Sequence, residues 1–500
     1  MLAYRPDLPK GVFVMKTSVC VFAFLCFVSA GTPALAAAAT AEEAQRLTGV
    51  FQTYLGTEPG VVTVAPAGEA YDVKIDLAPL IGKIKQPNFS AEISPFVMKL
   101  TDQGGGMWLV TQDSPLSYSA KVPGQLEMTV KAGAMKGSSV FDQNVSAFIS
   151  STYDIADFSV DETITTPEAT TTHVAYNIKA MHYETASMPA GPEVLDGTFH
   201  WAMSGLTETF KLPMPQPGGM PMDLTITAET GTQDGTIKGM KAQAIYRLIA
   251  WFVAHPSEEA IKAGQVELKS LVGAGLPLFE NVTAKGALQN LSVVTPVGPV
   301  GIANLGVDVG VNGVVADGMV HEGFRADGLT LPPGLVPPFA QDLVPQSFAL
   351  DFKVSDFNLA EPAKMLLDIM DLNDAKPMTP EESAKLLTAL LPKGAAEISL
   401  GPSKITSKLY DVDFEGRMTA GPVGVPLGQA TIRAKGLDDV MKTLQAAPPE
   451  MIGNAIPAII AAKGMAKTEA DGSLSWKIEN TISGALLVNG IDTSKMGGGG

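Results

Sequence analysis

The sequence predicts an α+β fold: a long, mostly antiparallel, curved β-sheet with repeated helix-pair insertions packed on it. The first observation is an alternation of apolar and polar residues along many segments, which is typical of antiparallel strands with one dry and one wet face. The second is a strand–helix–helix–strand order that recurs three times after residue 240. The third is the presence of 50 Gly and 36 Pro in 500 residues, since both residue types interrupt helices.

The N-terminus has the layout of a secretory signal peptide. Lys16 precedes an apolar run from Val19 to Ala30, and the small-residue pattern Ala34-Leu35-Ala36 follows it. The run is shorter than the roughly 20 apolar residues that span a bilayer, which disfavours a retained anchor. We therefore interpret residues 1–36 as a cleaved leader, with Met15 as a second candidate start. The expected location is the periplasm, with an extracellular or outer-membrane-associated location as the alternative.

Composition excludes several classes of site. Both cysteines, Cys20 and Cys26, lie in the predicted leader, so a processed chain has no disulfide, cysteine–zinc site or cysteine nucleophile. A formal net charge of −17 excludes nucleic acid as the main partner, because phosphate binding needs a basic surface. Charged residues make up only 17% of the chain and hydrophobic residues 46%, which argues against wholesale disorder.

Residues 37–240 are predicted to form a β-rich region with one short leading helix. That helix spans residues 41–54 and has Leu47 and Phe51 on one face. The strands that follow are separated by Gly- and Pro-rich turns. Alternating apolar sets on one face of these strands are Tyr71, Val73 and Ile75; Leu126, Met128 and Val130; Val174, Tyr176 and Ile178; and Phe199, Trp201 and Met203.

Residues 241–490 are predicted to contain the repeated units, and residues 491–500 a flexible tail. The clearest helix start is Thr379-Pro380-Glu381-Glu382, a capping box with Pro at the first helical position. The closing strand is predicted over residues 475–482, with Trp476, Ile478 and Ile482 pointing inward. The predicted helices of the three copies are 242–254 and one opened by Pro256; one opened by Glu361-Pro362 and one opened by Thr379; and one opened by Gly436-Leu437 and 451–462.

No motif for a known catalytic chemistry occurs. The chain has no H-E-x-x-H, no G-x-S-x-G, no P-loop and no dinucleotide fingerprint. We therefore assign no catalytic residue, no metal site and no cofactor, and leave the ligand-binding residues open. The chain has five histidines: His173, His182, His200, His255 and His321. The first three lie near one another in the sequence, on different predicted strands, and are interpreted as solvated strand residues rather than metal ligands.

Two acidic groups have a Ca²⁺-binding interpretation beside a simpler one. Asp411, Asp413 and Glu415 alternate along one predicted strand and therefore share a face. Carboxylate oxygens suit Ca²⁺, but a solvated strand face is the favoured interpretation in so acidic a protein. The same two alternatives, with the same preference, apply to Asp154, Asp157, Asp161 and Glu162.

The segment 244–254 is apolar on nearly every side, with only Tyr246 and Arg247 polar. It is too short to cross a membrane, so it lies either in the protein core or against something apolar. A core helix is the favoured interpretation. The alternative is a lip that touches lipid or an apolar ligand.

The chain resembles the domain of unknown function 2125 family, uncharacterised exported proteins from Gram-negative bacteria. The resemblance rests on the leader from Lys16 to Ala36, the repeated units from Ile237 onward and the closing segment Gly484–Gly490. It covers most of the mature chain and brings no known catalytic residues. More loosely, the predicted build is similar to large envelope proteins whose long curved sheets handle lipids, which is a likeness of fold alone.

Three functions follow as hypotheses. The first is a non-catalytic structural or interaction module of the cell envelope, with a sealed core beneath the sheet. The second is a periplasmic binder or carrier of a lipid or another apolar ligand along a sheet face. The third is a hydrolase, which needs histidines and carboxylates brought together in a pocket. The partners expected are therefore a lipid or an envelope protein, with no transmembrane helix in the mature chain.

Overall fold

The computed structural model describes residues 38–83, 88–166, 171–212, 222–374, 376–422, 424–448, 452–453 and 455–493. The predicted leader, residues 1–36, lies outside the described residues. Twenty-two strands form one antiparallel sheet that does not close on itself, and helices are inserted between some of them. The predicted fold class is therefore confirmed.

The strands are long near the middle of the chain and short at both ends. Those before residue 241 are β1 (Val62–Ala67), β2 (Ala70–Ile75), β3 (Ser90–Ile93), β4 (Phe96–Gly104), β5 (Met107–Asp113), β6 (Leu116–Val122), β7 (Leu126–Asp142), β8 (Ala147–Thr165), β9 (Thr171–Gly191), β10 (Val194–Leu212) and β11 (Met222–Met240). Those after it are β12 (Asn281–Thr295), β13 (Gly298–Asn312), β14 (Gly318–Thr330), β15 (Ser347–Phe357), β16 (Ala396–Thr406), β17 (Asp411–Ala420), β18 (Leu427–Lys435), β19 (Lys467–Thr468), β20 (Leu474–Asn480), β21 (Leu486–Val488) and β22 (Ile491–Asp492).

The helices fall close to the predicted positions. They are α1 (Ala41–Leu55), α2 (Ala78–Ile81), α3 (Ala242–Ala254), α4 (Glu258–Ala263), α5 (Gln265–Gly275), α6 (Ala360–Ile369), α7 (Pro380–Leu390), α8 (Leu437–Gln445) and α9 (Ala455–Met465), with a 3-10 helix over Pro338–Leu343. The predicted capping box is confirmed, because the Thr379 hydroxyl accepts from the Glu382 backbone N–H and the Glu382 carboxylate accepts from that of Thr379.

Most strands pair with their neighbours in chain order. From β7 to β18 each strand is antiparallel to the next, and β20, β21 and β22 continue the sheet. β11 pairs with β12 across the α3–α5 insertion, so the regions before and after residue 240 share one sheet. The other side of β7 pairs with both β5 and β6. In the described chain, β1, which contains Pro66, and the two-residue β22 each have a single partner strand.

The helices sit at the strand ends because the insertions join one strand end to the next. α3 to α7 connect strands at one end of the sheet, and α8 and α9 leave the opposite end of β18. α3 contacts α1 and α5, α5 contacts α6, and α6 contacts α7. The first two helix pairs therefore pack mainly on other helices, while the third reaches the sheet beside β18 and β20.

The largest sealed core lies at the N-terminal end of the sheet. There α1 covers β1, β2, β4 and β5, and Leu47, Val61 and Val73 are completely buried. The Thr40 hydroxyl caps α1 by accepting from the Glu43 N–H. The predicted apolar face of this helix is confirmed, since Leu47 and Phe51 are both buried.

A transverse row of positions, which we call the crease, crosses the sheet from β7 to β14. Four of its residues have left-handed backbone, one on every second strand from β8 to β14. They are Asp157 (φ 52°), Gly205 (φ 67°), Asn290 (φ 52°) and Gly328 (φ 70°). Such a residue turns a strand sharply, and here the register is the same on both sides of it. The complete crease is Gly133, Asp157, Lys179, Gly205, Glu229, Asn290, Ala303 and Gly328.

The crease shifts the apolar alternation by one residue. Met203 and Leu206 lie three positions apart on β10, yet both belong to one buried cluster. In a regular strand they would face opposite sides. The same shift places Ile178 and Met181 of β9 on one side of the sheet, and it does the same for Leu288 and Leu291 of β12.

The sheet bends towards its apolar side at the crease. Ile178 is only 2% exposed, and every residue packed in its cluster, among those that the structure describes, comes from the sheet itself. A flat sheet face without a covering layer leaves its side chains in contact with water. The strand segments on the two sides of the crease must therefore fold towards each other, which confirms that the sheet is curved.

Several details at the C-terminal end differ from the prediction. Ile482 was predicted to point inward, which is wrong: it is 85% exposed, because β20 ends at Asn480 and a turn follows. The helix predicted over residues 451–462 is described from Ala455 to Met465. Ile491 and Asp492 pair with β21, and the rest of the predicted tail, residues 494–500, lies outside the described residues.

Substitutions at Gly205 test the crease. We expect Gly205→Ala to lower the free energy of unfolding by about 1–2 kcal/mol, because a Cβ disfavours left-handed backbone. In every variant the added Cβ would lie 2.9 Å from that of Lys179, and Gly205→Val is expected to cost more than Gly205→Ala because a β-branched side chain fits left-handed backbone least well. Asn tolerates this backbone better, so Gly205→Asn should cost least. Urea denaturation measures each value.

Gly306→Ala on β13 is the matched control. Its backbone has no positive φ and the nearest neighbour of an added Cβ is 3.7 Å away. The free energy of unfolding should change by less than about 0.5 kcal/mol. Equal losses at both glycines would contradict the assignment of a special role to the crease.

Candidate functional site

One face of the sheet is apolar from β6 to β20, and we call it the apolar face. The cross-strand register places its side chains in continuous rows, because directly paired residues project to the same side. Phe199, Trp201 and Met203 lie on it and His200 on the other side, as the alternation predicted. Its members after β11 include Leu288, Val307, Val309, Val311, Val320, Phe324, Phe348, Leu350, Phe352, Val354, Phe414, Met418, Ile432 and Trp476.

A helix covers the apolar face at each end of the sheet. α1 packs on β1 to β5, and α9 packs on β18 and β20, where the Trp476 Nε1 donates to the Ala462 carbonyl at 2.7 Å. Between them the face is open to solvent: Val309 is 40% exposed and Phe352 is 37% exposed. In β13 to β17, all of which is described, no apolar side chain is fully buried.

Aromatic rings lie flat over glycines on this face. A Cβ added to Gly235 would lie 2.1 Å from the Phe199 ring, and one added to Gly137 would lie 2.1 Å from the Tyr153 ring. Glycine therefore lets the neighbouring ring settle against the backbone of the adjacent strand. At these two positions the aromatic ring lies along the sheet surface instead of projecting from it.

The only charges on the apolar face of the described strands β6 to β18 and β20 are acidic. The register places Glu162 beside Val174, Glu208 beside Tyr176 and Glu322 beside Phe352. Every Lys, Arg and His of these strands outside the crease projects from the opposite face. The apolar face therefore carries carboxylates but no basic side chain.

The opposite, polar face carries four cross-strand His–Asp pairs. The ring-to-carboxylate distances are 3.2 Å for His173–Asp161, 2.7 Å for His182–Asp154, 2.7 Å for His200–Asp234 and 2.9 Å for His321–Asp351. His255 lies elsewhere, at the end of α3, where its Nδ1 contacts the Trp251 carbonyl at 2.8 Å and its ring stacks on the Trp251 indole. Four histidines are thus strand residues on the wet face.

The polar face does not assemble a recognised catalytic or metal-binding arrangement. A shallow depression there contains Glu184, His200, Asp234 and Lys285 among threonines. None of the five histidine rings, all of them described, bonds a Ser or Thr hydroxyl, so the nucleophile–base contact of acyl transfer is not formed. No group of three potential metal ligands occurs among the residues that the structure describes.

The sheet keeps the first acidic group on one face and divides the second between both faces. Asp411 and Asp413 share the polar face of β17, and both lie near Lys404, at 3.4 Å and 4.0 Å. Asp154 pairs with His182 on the polar face, whereas Glu162 projects from the apolar one. These positions agree with the simpler interpretation of solvated strand residues.

The apolar helix α3 is neither buried in the core nor fully exposed. Only Ala242 and Trp251 are buried, and the Trp251 indole donates to the Glu267 carboxylate on α5. The far end of α3 meets the start of α5 and the end of α6. One apolar side chain near each of these helix ends is exposed, and we call the three the helix tip: Phe252, Val266 and Ile369.

Comparison with protein-family models, with curated proteins and with solved structures gave no match. The resemblance to the domain of unknown function 2125 family therefore stays a prediction. Among the described residues, no helix combines the length and apolar character needed to cross a bilayer.

The His182–Asp154 contact predicts a shifted titration. Hydrogen bonds to the carboxylates of Asp154 and Glu184 raise the pKa of His182 above its ordinary value near 6.5. The carboxylates favour the protonated ring, so the stabilising charge attraction is present while the ring is protonated and the carboxylates are ionised, and it is lost as the pH rises through the raised pKa. An NMR titration of the His182 ring should show a lower midpoint in Asp154→Asn. Asp308→Asn, on a distant strand, should leave the midpoint unchanged; an equal change in both variants would contradict the pairing.

Proposed function

We propose that the protein binds acyl chains of lipids along the apolar face, in the periplasm. The observation that carries this proposal is an apolar sheet face that is bent at the crease, covered by helices at both ends and open between them. Strands lie about 4.8 Å apart, so the uncovered strands β13 to β17 present an apolar floor about 19 Å wide. Sealed clusters of apolar side chains lie beneath α1, at the crease and beneath α9, whereas β13 to β17 have no fully buried apolar side chain.

An acyl chain suits this face better than a protein segment does. The backbone donors and acceptors of the sheet are already engaged in its own ladders. An extended peptide laid across the face would bury its N–H and C=O groups without partners, at a cost of about 1–3 kcal/mol for each group. An acyl chain has no such groups and gains about 0.8 kcal/mol for each methylene that it buries.

The proposed periplasmic location rests on the predicted leader, and lipid binding is consistent with a location between two membranes. An acyl chain in the aqueous periplasm is unfavourably exposed to water, and so is the open apolar face of the sheet, so that binding removes both from water. A face of this size exposed on a monomer marks an interaction site.

A substitution on the floor tests the proposal. The protein is expressed from its full coding sequence, purified without detergent and extracted for mass spectrometry, and its uptake of 1-N-phenylnaphthylamine is measured by fluorescence. We expect co-purified lipid and saturable uptake of this neutral apolar probe. Val309→Lys places a charge on the exposed floor and should weaken probe binding about tenfold, since an ammonium group disfavours apolar contact.

Thr232→Lys is the matched control because Thr232 lies exposed on the polar face of β11, paired with Ala202. It adds the same charge to the same sheet and should leave probe affinity unchanged. Circular dichroism confirms that both variants fold. Lipid-free protein that takes up no probe would overturn the proposal.

The helix tip favours a second candidate function, an interaction module of the cell envelope. Val266 is 78% exposed, and its neighbours Phe252 and Ile369 are also exposed. The tip is held together by the Gln265 side chain, which donates to Asp371 at 3.2 Å and accepts from the Leu372 N–H at 2.9 Å. Fixed apolar residues at the end of a projecting helix layer are suited to docking another envelope protein.

Site-specific photo-crosslinking in cells tests this candidate. A photoreactive residue at Val266 should give a discrete adduct with one envelope protein. The same residue at Glu415, on the polar face of β17, should give none. Absence of an adduct at Val266, or the same adduct at both positions, would contradict a docking role for the tip.

A further inference from the structure

The apolar face has one place where charge and aromatic rings meet. Glu208 on β10 pairs directly with Tyr176 on β9, and both side chains are half-buried. The Tyr176 ring contacts the Phe158 ring edge-to-face, with centroids 6.2 Å apart. Phe210 lies two residues beyond Glu208 on the same face. We call Phe158, Tyr176, Glu208 and Phe210 the aromatic–carboxylate site.

The carboxylate of Glu208 has no basic partner within the described strands. Its cross-strand neighbours are Tyr176 and Ile226, and no Lys, Arg or His shares its face. A half-buried carboxylate on an apolar floor loses hydration without gaining an ion pair. Burial, and then the nearby Glu208 charge, raise the pKa of Tyr176, so the phenol stays neutral beside the carboxylate.

We infer that the aromatic–carboxylate site binds the ammonium group of an amphiphile whose acyl or alkyl tail lies on the apolar face. This inference rests on the proposed function. A cation over aromatic rings is attracted by their negative faces, and Glu208 supplies the opposite charge. The second carboxylate, Glu162, lies one strand beyond Val174 and adds negative potential on the same side. An anionic head group would be repelled by both glutamates.

The site also gives the ligand a direction. Glu208 and its aromatic neighbours lie on one side of the crease, and the open floor of Val309 and Phe352 lies on the other. The packed residues around Ile178 lie between the two, so a ligand that reaches both would lay its tail over the crease towards β13 to β15. The crease would separate the polar end of the ligand from the apolar end.

Three amphiphiles of equal tail length test the inference. Dodecyltrimethylammonium, dodecanol and dodecanoate, each below its micelle-forming concentration, compete with 1-N-phenylnaphthylamine for the protein expressed from its full coding sequence. We expect the ammonium compound to displace the probe at a concentration about tenfold lower than dodecanol, and dodecanoate to be the weakest. Glu208→Gln should reduce the tenfold preference for the ammonium compound to about twofold. The concentration at which dodecanol displaces the probe should not change.

Glu415→Gln is the matched control because it removes the same charge from the polar face. The ammonium preference should persist in it. A preference that survives Glu208→Gln, or that disappears equally in Glu415→Gln, would overturn the inference, since the general acidity of the chain would then explain it. Equal displacement by all three compounds overturns the inference but leaves the proposed function standing. Failure of all three compounds and of the probe to bind overturns both.

Discussion

The crease lets a very wide antiparallel sheet keep one apolar side while it bends. Each of β8, β10, β12 and β14 has one left-handed residue, and the strands between them follow without losing register. A bend that broke the register would leave backbone groups unpaired and scatter the apolar side chains over both faces. Because the hydrogen-bond ladders continue through the bend, the apolar rows on the two sides meet and exclude water around Ile178.

The distribution of burial follows from that bend and from the helices. α1 and α9 cover the ends of the apolar face and the crease covers the middle of β8 to β12, while no described part of the chain covers β13 to β17. A sealed core and the surface that we propose to bind lipid are therefore parts of one continuous face. The aromatic–carboxylate site and the open floor lie on opposite sides of the same bend, so the proposed contacts with head group and tail both depend on it.

Sequence alone predicted the strands, their two faces and most helix starts, because alternation and capping are local signals. The apolar face at Phe199, Trp201 and Met203 was predicted correctly. The crease was not predicted, because Asp157 and Asn290 are ordinary polar residues in the sequence and their left-handed backbone depends on neighbouring strands. One signal was present: the apolar alternation changes phase between Met203 and Leu206. Glu208 occupies an apolar position of that second phase, so its place on the floor could have been read from the same change.

The ends of the sheet limit how far it extends. Unpaired strands at sheet edges invite pairing with other chains. Here Pro66 removes a donor from β1, and β22 is only two residues long. Copies of the protein therefore have little backbone with which to join end to end, although each carries a sheet of 22 strands. The number of strands in one chain therefore sets the width of the apolar surface that a single molecule presents.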